Sequence, residues 1–365
     1  MIKYPDYTNS IVNVSNSILK HFNAEQYYPS LDEVDQILSK DYQNVVYVVL
    51  DGLGKYNLDL ALNNSFFQKH QVKTIDSVFP PTTVAATTAI QTGMAPLQTA
   101  WLGWTQYFED FQDNITVFLN RKESDGQLIP GQRVADLKQP TVFLEKILTE
   151  KGYYAKSISP FGDLPYQNLD DMFKIIKNEC DNKEKKFLYV YHNNPDSLMH
   201  EFGVQSNEVK AKITELNDGF EKLSSEVENT VFIIVADHGQ IDSKNLSFED
   251  YPEILACLKS KPSIEPRAIS FRVKDDCHDE FLKLFNSKFA NTFKLYSKDE
   301  FLASNLLGNG KEHLQLHNYL GDYLALAVSN VSICNSKKQA EAMIGMHAGL
   351  LKEEVEVPLI IIEKD

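Results

Sequence analysis

The chain has 365 residues, of which 43% are hydrophobic and 24% charged, with a formal net charge of -15 at pH 7. The length exceeds that of a small module and suits one large α/β core carrying an insert. The charge argues against a nucleic-acid duplex or an anionic membrane surface as partner. The opening MIKYPDYTNSIVNVSN has no basic flank ahead of an apolar run, so no secretion signal is expected. No stretch has the apolar length that spans a bilayer. Cys180, Cys257, Cys277 and Cys334 form no CxxC pair, and a reduced, cytoplasmic setting with free thiols is the expectation.

In chain order, short β-branched runs predict buried parallel strands at Asn44–Leu50, Phe187–Tyr191, Thr230–Ala236 and Val357–Glu363. Val72–Phe79 and Tyr153–Ser159 are weaker strand candidates. Helices are expected at Val84–Gln91, Gln139–Thr149, Leu169–Glu179 and Glu208–Glu226. Strand and helix alternate, which predicts a mostly parallel sheet sandwiched by helices. The alternation breaks at 251–335, where Pro252, Pro262 and Pro266 cluster and a charged helical stretch, His278–Phe289, precedes the loop LLGNGKEH. This segment is expected to be a small α+β cap inserted into a catalytic core made of 1–250 and 336–365.

The polar residues at the strand ends carry the chemistry. Asp51 follows VVYVVL and precedes Gly52 and Gly54, and ligands of open α/β sheets collect at such carboxyl ends. In FPPTTVAATTAIQTG, Pro80 and Pro81 delay the helix, so Thr82 or Thr83 stands at its N-terminus. Backbone N–H groups there favour a phosphate and a threonine alkoxide. Asp196 and His200, in NPDSLMHEFG, are four apart and share a helical face. Asp237 and His238 follow TVFIIVA, as Asp51 follows its own strand, and hard or borderline donors of this kind suit Zn²⁺ or Mn²⁺. His347 lies among small residues in GMHAG, where backbone approaches closely.

These motifs, VVLDGLG, FPPTTVAATTAIQTG, NPDSLMHEFG, VADHG and GMHAGLLKEEVEVPLI, resemble in content and order the alkaline phosphatase superfamily, and most closely its bacterial type I phosphodiesterase/nucleotide pyrophosphatase branch. The resemblance runs from Asp51 to Leu359. In that superfamily the nucleophile stands ten residues before the glycine of a Thr-Gly pair, which here is Gly93 and points to Thr83. The resemblance implies one metal held by Asp196, His200 and His347, and a second by Asp51, Asp237 and His238. It implies two zinc ions, with manganese the alternative. Where eukaryote-like pyrophosphatases carry an oxyanion-binding asparagine after the Thr-Gly pair, this chain has Trp104, whose indole N–H can donate one hydrogen bond. Lys55 and Arg267 are the basic residues placed to meet phosphate, and His192 and His317 are candidates for supporting or lining the site.

The expected activity is two-metal hydrolysis of a small phosphate ester, a phosphodiester or nucleotide pyrophosphate, through a covalent intermediate on Thr83. Phosphomonoester or phosphonate hydrolysis would use the same residues. A non-catalytic binding protein on this scaffold would have lost a ligand or the nucleophile, and none is missing.

Overall fold

The computed structural model describes residues 1–365. Its centre is a six-stranded sheet in the order Gln71–Asp76, Glu356–Lys364, Thr230–Val235, Asn44–Leu50, Lys186–His192, Tyr154–Ile158. Every residue of Asn44–Leu50 and of Thr230–Val235 is buried. Such strands bury both faces, as a continuous β-branched run requires. Helices cover the sheet, among them Ile11–His21, Thr83–Thr92, Leu169–Cys180 and Asn207–Ser225. The long helix Asn207–Ser225 packs Val209, Ile213, Leu216 and Phe220 inward at spacings of three and four.

The sheet is mostly parallel, with one exception. Val357–Glu363, expected as a parallel strand, lies in Glu356–Lys364, which runs antiparallel to both Gln71–Asp76 and Thr230–Val235. A buried antiparallel strand carries the same apolar run as a buried parallel one, so direction is invisible in composition. The helix expected over Gln139–Thr149 is also different. The chain turns helical only at Leu144–Glu150, after a separate Val134–Lys138 helix. Pro140 removes a donor and disfavours helical backbone at Gln139. Gln139 instead accepts the indole N–H of Trp101 on its backbone carbonyl at 3.1 Å and donates its amide to the carbonyl of Ala100.

A second, antiparallel sheet of seven strands runs Phe293–Ser297, Tyr323–Ala327, Ala268–Phe271, Ser263–Glu265, Thr105–Phe108, Asp113–Thr116, Arg121–Lys122. Its first four strands come from the proline-broken segment 251–335, and the other three come from 105–122. The two groups meet where Ile264 pairs with Thr105. The helix His278–Phe289 covers this sheet with Phe281, Phe285 and Phe289, all buried against Phe271 or Phe293. No helix is long and apolar enough to cross a membrane.

Candidate active site

Three adjacent parallel strands, Thr230–Val235, Asn44–Leu50 and Lys186–His192, end side by side, and each delivers an acid just beyond its carboxyl end. They are Asp237, Asp51 and Asp196. The ladder continues past the strands: Asp51 N donates to the His192 carbonyl at 2.9 Å, and Asp196 N donates to the Asp51 carbonyl at 3.0 Å. The turn between is tight. Gly52 has φ +75, and a Cβ there would lie 2.9 Å from the Cα and Cβ of Asp196. His238 follows Asp237 directly. His200 is one helical turn beyond Asp196 on Asp196–Phe202, its Nε2 3.4 Å from Asp196 Oδ1. His347 arrives from the C-terminal segment, where Gly345 and Met346 pair with Asp242 and Ile241. The next residue, Ala348, has φ +84, a left-handed conformation that costs a non-glycine residue about 1–3 kcal/mol and is held by its surroundings.

The six residues separate into two groups, Asp51 with Asp237 and His238, and Asp196 with His200 and His347, and in each the ligand atoms lie within 4.8 Å of one another. The His238 and His347 rings stack at 3.9 Å, so the two groups adjoin. Each imidazole is turned the same way. Nδ1 of His200 faces the Gly345 carbonyl at 2.7 Å, Nδ1 of His238 the Gly239 carbonyl at 3.2 Å, and Nδ1 of His347 the Pro81 carbonyl at 3.2 Å. A carbonyl only accepts, so at His238 and His347 these contacts assign the proton to Nδ1 and leave the Nε2 lone pair facing the carboxylates, whereas His200 Nδ1 also meets the Gln240 side-chain amide at 2.9 Å. Asp237 Oδ1 accepts from Gly52 N and His238 N, each at 3.0 Å, and Asp51 Oδ2 accepts from the Tyr191 hydroxyl.

The opposite oxygens have no partner. Asp51 Oδ1, Asp237 Oδ2 and Asp196 Oδ1 are buried without a hydrogen bond. Leaving a charged oxygen dry and unpaired costs several kcal/mol, so three of them converging on imidazole lone pairs fit divalent cations. Burial raises the carboxyl pKa of all three, reinforced at Asp51 by the charges of Asp237 and Asp196. Burial lowers His347 well below the ordinary imidazole value, with His238 and His200 adding like charge, and burial lowers His238 as well. A cation between these groups would relieve the acids and favour the neutral imidazoles together.

Thr83 is the first residue of the helix Thr83–Thr92, with Thr82 as its N-cap. Its Oγ1 lies 3.3 Å from His238 Nε2 and 3.5 Å from Asp51 Oδ2. It opens into a cavity of about 340 Å³ lined also by Trp104, Asp196, His200, Glu265, Gln339 and His347. Thr82 also borders the cavity, but its hydroxyl is committed to Glu265 Oε1, to which it donates at 2.6 Å.

Other expected contacts are elsewhere. Lys55 does not line the cavity; it begins the helix Lys55–Ala61 and pairs with Asp59 along the surface, as i,i+4 charges on a helix do. Arg267 is fully buried and forms a two-pronged ion pair with Glu354, 2.7 Å at each contact. It is a strut between the small sheet and the C-terminal segment. His192 meets the Tyr166 hydroxyl through Nδ1 at 2.8 Å, and only its backbone carbonyl supports Asp51. His317 pairs with Glu312 at the surface. The residues that sequence reasoning missed are Glu265 and Tyr191. Tyr191 looks like one more strand aromatic, and Glu265 lies in PSIEPR, far in sequence from the Thr82 and Trp104 whose donors it accepts.

The comparisons agree with this architecture. Residues 45–350 match the family model "Type I phosphodiesterase / nucleotide pyrophosphatase". Human ectonucleotide pyrophosphatase/phosphodiesterase 5 superposes with a TM-score of 0.65 at 14% identity, covering 86% of this chain and 87% of its own. The murine protein gives a TM-score of 0.63 at 14% identity over the same shares, and an inactive threonine-to-alanine variant of it was solved with AMP. Phosphonoacetate hydrolase from Sinorhizobium meliloti, in complex with phosphonoformate, gives 0.63 at 13% identity over 87% of this chain and 89% of its own. A search among curated proteins finds no match. With the family pattern spanning most of its length and its strand-end acids and histidines gathered beside one threonine, the chain belongs to the type I phosphodiesterase/nucleotide pyrophosphatase family of the alkaline phosphatase superfamily.

Proposed function

We propose that this protein hydrolyses small phosphodiesters with Thr83 as nucleophile. The observation that carries the reading is the Thr83 hydroxyl, at the head of a helix, within 3.5 Å of two members of one ligand group and open to the cavity. Asp51, Asp237 and His238 would hold one divalent ion, and Asp196, His200 and His347 the other, with zinc the metal that two carboxylate–imidazole sets favour. When bound, such ions neutralise phosphoryl oxygens and lower the pKa of a neighbouring hydroxyl.

The protein's own groups do the rest. Thr83 Oγ1 forms a bond to phosphorus as the bond to the leaving alcohol breaks, giving a phosphothreonine diester; water then displaces Thr83 and restores its hydroxyl. The free N–H groups of the first helical turn face that end of the helix and favour the anionic phosphoryl group. The Trp104 side chain, 40% exposed at the cavity, makes no hydrogen bond within the protein and is available where relatives place an amide donor. No lysine or arginine lines the cavity. That favours a singly charged diester over a doubly charged monoester or a phosphonate bearing a second acid.

Zinc-loaded protein should cleave bis-p-nitrophenyl phosphate faster than p-nitrophenyl phosphate, and Thr83→Ala should lower the diester rate by about 10³-fold or more. A preference for the monoester would overturn the diester reading, and an unimpaired Thr83→Ala would remove Thr83 as nucleophile.

A further inference from the structure

The cavity over Thr83 holds a carboxylate that bond cleavage does not use. Glu265 ends the short strand Ser263–Glu265 and is 9% exposed. The residue before it, Ile264, has φ +81. A β-branched residue in that region is strained and persists only where its surroundings impose it. Glu265 Oε1 is taken by two donors, the Thr82 hydroxyl at 2.6 Å and Trp104 N at 2.7 Å. Oε2 takes no hydrogen bond from the protein. A second, smaller recess shares Trp104 and Glu265 with the cavity and is lined also by Glu123 and Asn335, and it too has no lysine or arginine in its lining.

We infer that Glu265 is a specificity-determining residue, its Oε2 accepting from a protonated amine on the non-reacting arm of the phosphodiester. The assignment rests on the phosphodiester reading. A buried, half-satisfied carboxylate in a cavity whose lining holds no lysine or arginine is matched by a cationic donor, and charge-assisted contacts of this kind are among the stronger ones. A carboxylate or second phosphate on the same arm meets the like charge of Glu265 with no lysine or arginine in the lining beside it. A neutral alkyl arm displaces water from Oε2 and leaves it unpaired. Glu265 is one residue in space from the nucleophile, through Thr82, so the arm it selects is short.

The test compares 2-aminoethyl p-nitrophenyl phosphate with ethyl p-nitrophenyl phosphate on the zinc-loaded full chain at pH 8.5. Burial raises the Glu265 carboxyl to about 7, so it is ionised there. Wild-type kcat/KM should favour the aminoethyl ester by about tenfold or more, and Glu265→Gln, which keeps an acceptor for Thr82 and Trp104, should bring the ratio close to one. Calorimetric titration of zinc-loaded Thr83→Ala with the same esters should show the same gap in Kd, lost in Thr83→Ala/Glu265→Gln. Cleavage of both esters without preference, or a preference that survives Glu265→Gln, overturns the assignment and leaves the hydrolase reading standing. Cleavage of neither ester overturns both.

Discussion

Gly52→Ala tests whether the site depends on the turn that brings two acids together. The substitution has two separable costs. The first is conformational: φ is +75, and left-handed backbone costs a residue with a Cβ about 1–2 kcal/mol. The second is steric. The new Cβ would stand 2.9 Å from Asp196 Cα and Cβ and 2.9 Å from Met199 Cε. Met199 can swing aside, but the Asp196 backbone is tied to Asp51 by the 3.0 Å hydrogen bond and cannot yield without moving one of the proposed ligands. Relief requires a few tenths of an ångström between Asp51 and Asp196, one from each ligand group. Misplacement by about 1 Å costs on the order of 10²-fold in rate, so a shift of a few tenths should lower kcat/KM by roughly four- to tenfold. Gly152→Ala is the control. Gly152 has φ +89 and no atom within 4 Å of the place a Cβ would take, so it carries the first cost without the second. The assay is diester hydrolysis and zinc content of both variants, with urea unfolding to compare stability. Equal stability losses with Gly52→Ala activity within about threefold of wild type would refute the claim that this turn sets the spacing.

The remaining predictions concern metal, burial and charge. Chelation should abolish hydrolysis and lower the thermal midpoint, and added zinc should restore both in a concentration-dependent way, because binding to the folded state alone stabilises it; Asp51→Asn and His347→Ala should each lower zinc content by about one equivalent. An unchanged midpoint after complete chelation would contradict this. Arg267→Met should destabilise by about 3–5 kcal/mol in urea titration, since it strands the buried Glu354 carboxylate and also the Val331 and Ser329 carbonyls that Arg267 serves at 2.8 Å. Arg267→Met/Glu354→Leu should regain part of that loss, and no recovery would point to packing in place of charge. Glu265 has its folded pKa raised from 4.5 to about 7, so the stability it contributes is present below 4.5 and lost as pH rises to 7. In metal-free protein, Glu265→Gln should therefore gain on wild type between pH 4.5 and pH 8, by on the order of 3 kcal/mol as an upper limit. Parallel pH–stability curves for the two proteins would show that the carboxyl is not held protonated.

Much of the site is legible in the chain because parallel α/β sheets place function at strand ends. Asp51, Asp196 and Asp237 each follow a recognisable buried run, and the strands they follow prove to be neighbours. Thr82 and Thr83 are equivalent by local pattern, since either caps a helix; the tertiary structure separates them, sending Thr82 to Glu265 and Thr83 to His238. Lys55 and Arg267 show the reverse. Charge in sequence says nothing about direction, and one lies along the surface while the other is locked inside.

The sequence by itself determined the periodicities, the breaks at proline, and the ordered acids, histidines and threonine from which the proposed chemistry is drawn. Local rules suffice for these because each depends on neighbours a few residues away. Only the tertiary structure decided the antiparallel course of Glu356–Lys364, the joining of 105–122 to 263–327 in one sheet, and the arrival of Glu265 beside Thr82. Those outcomes rest on contacts between residues far apart along the chain, whose energies come from burial and pairing that no short window of sequence contains.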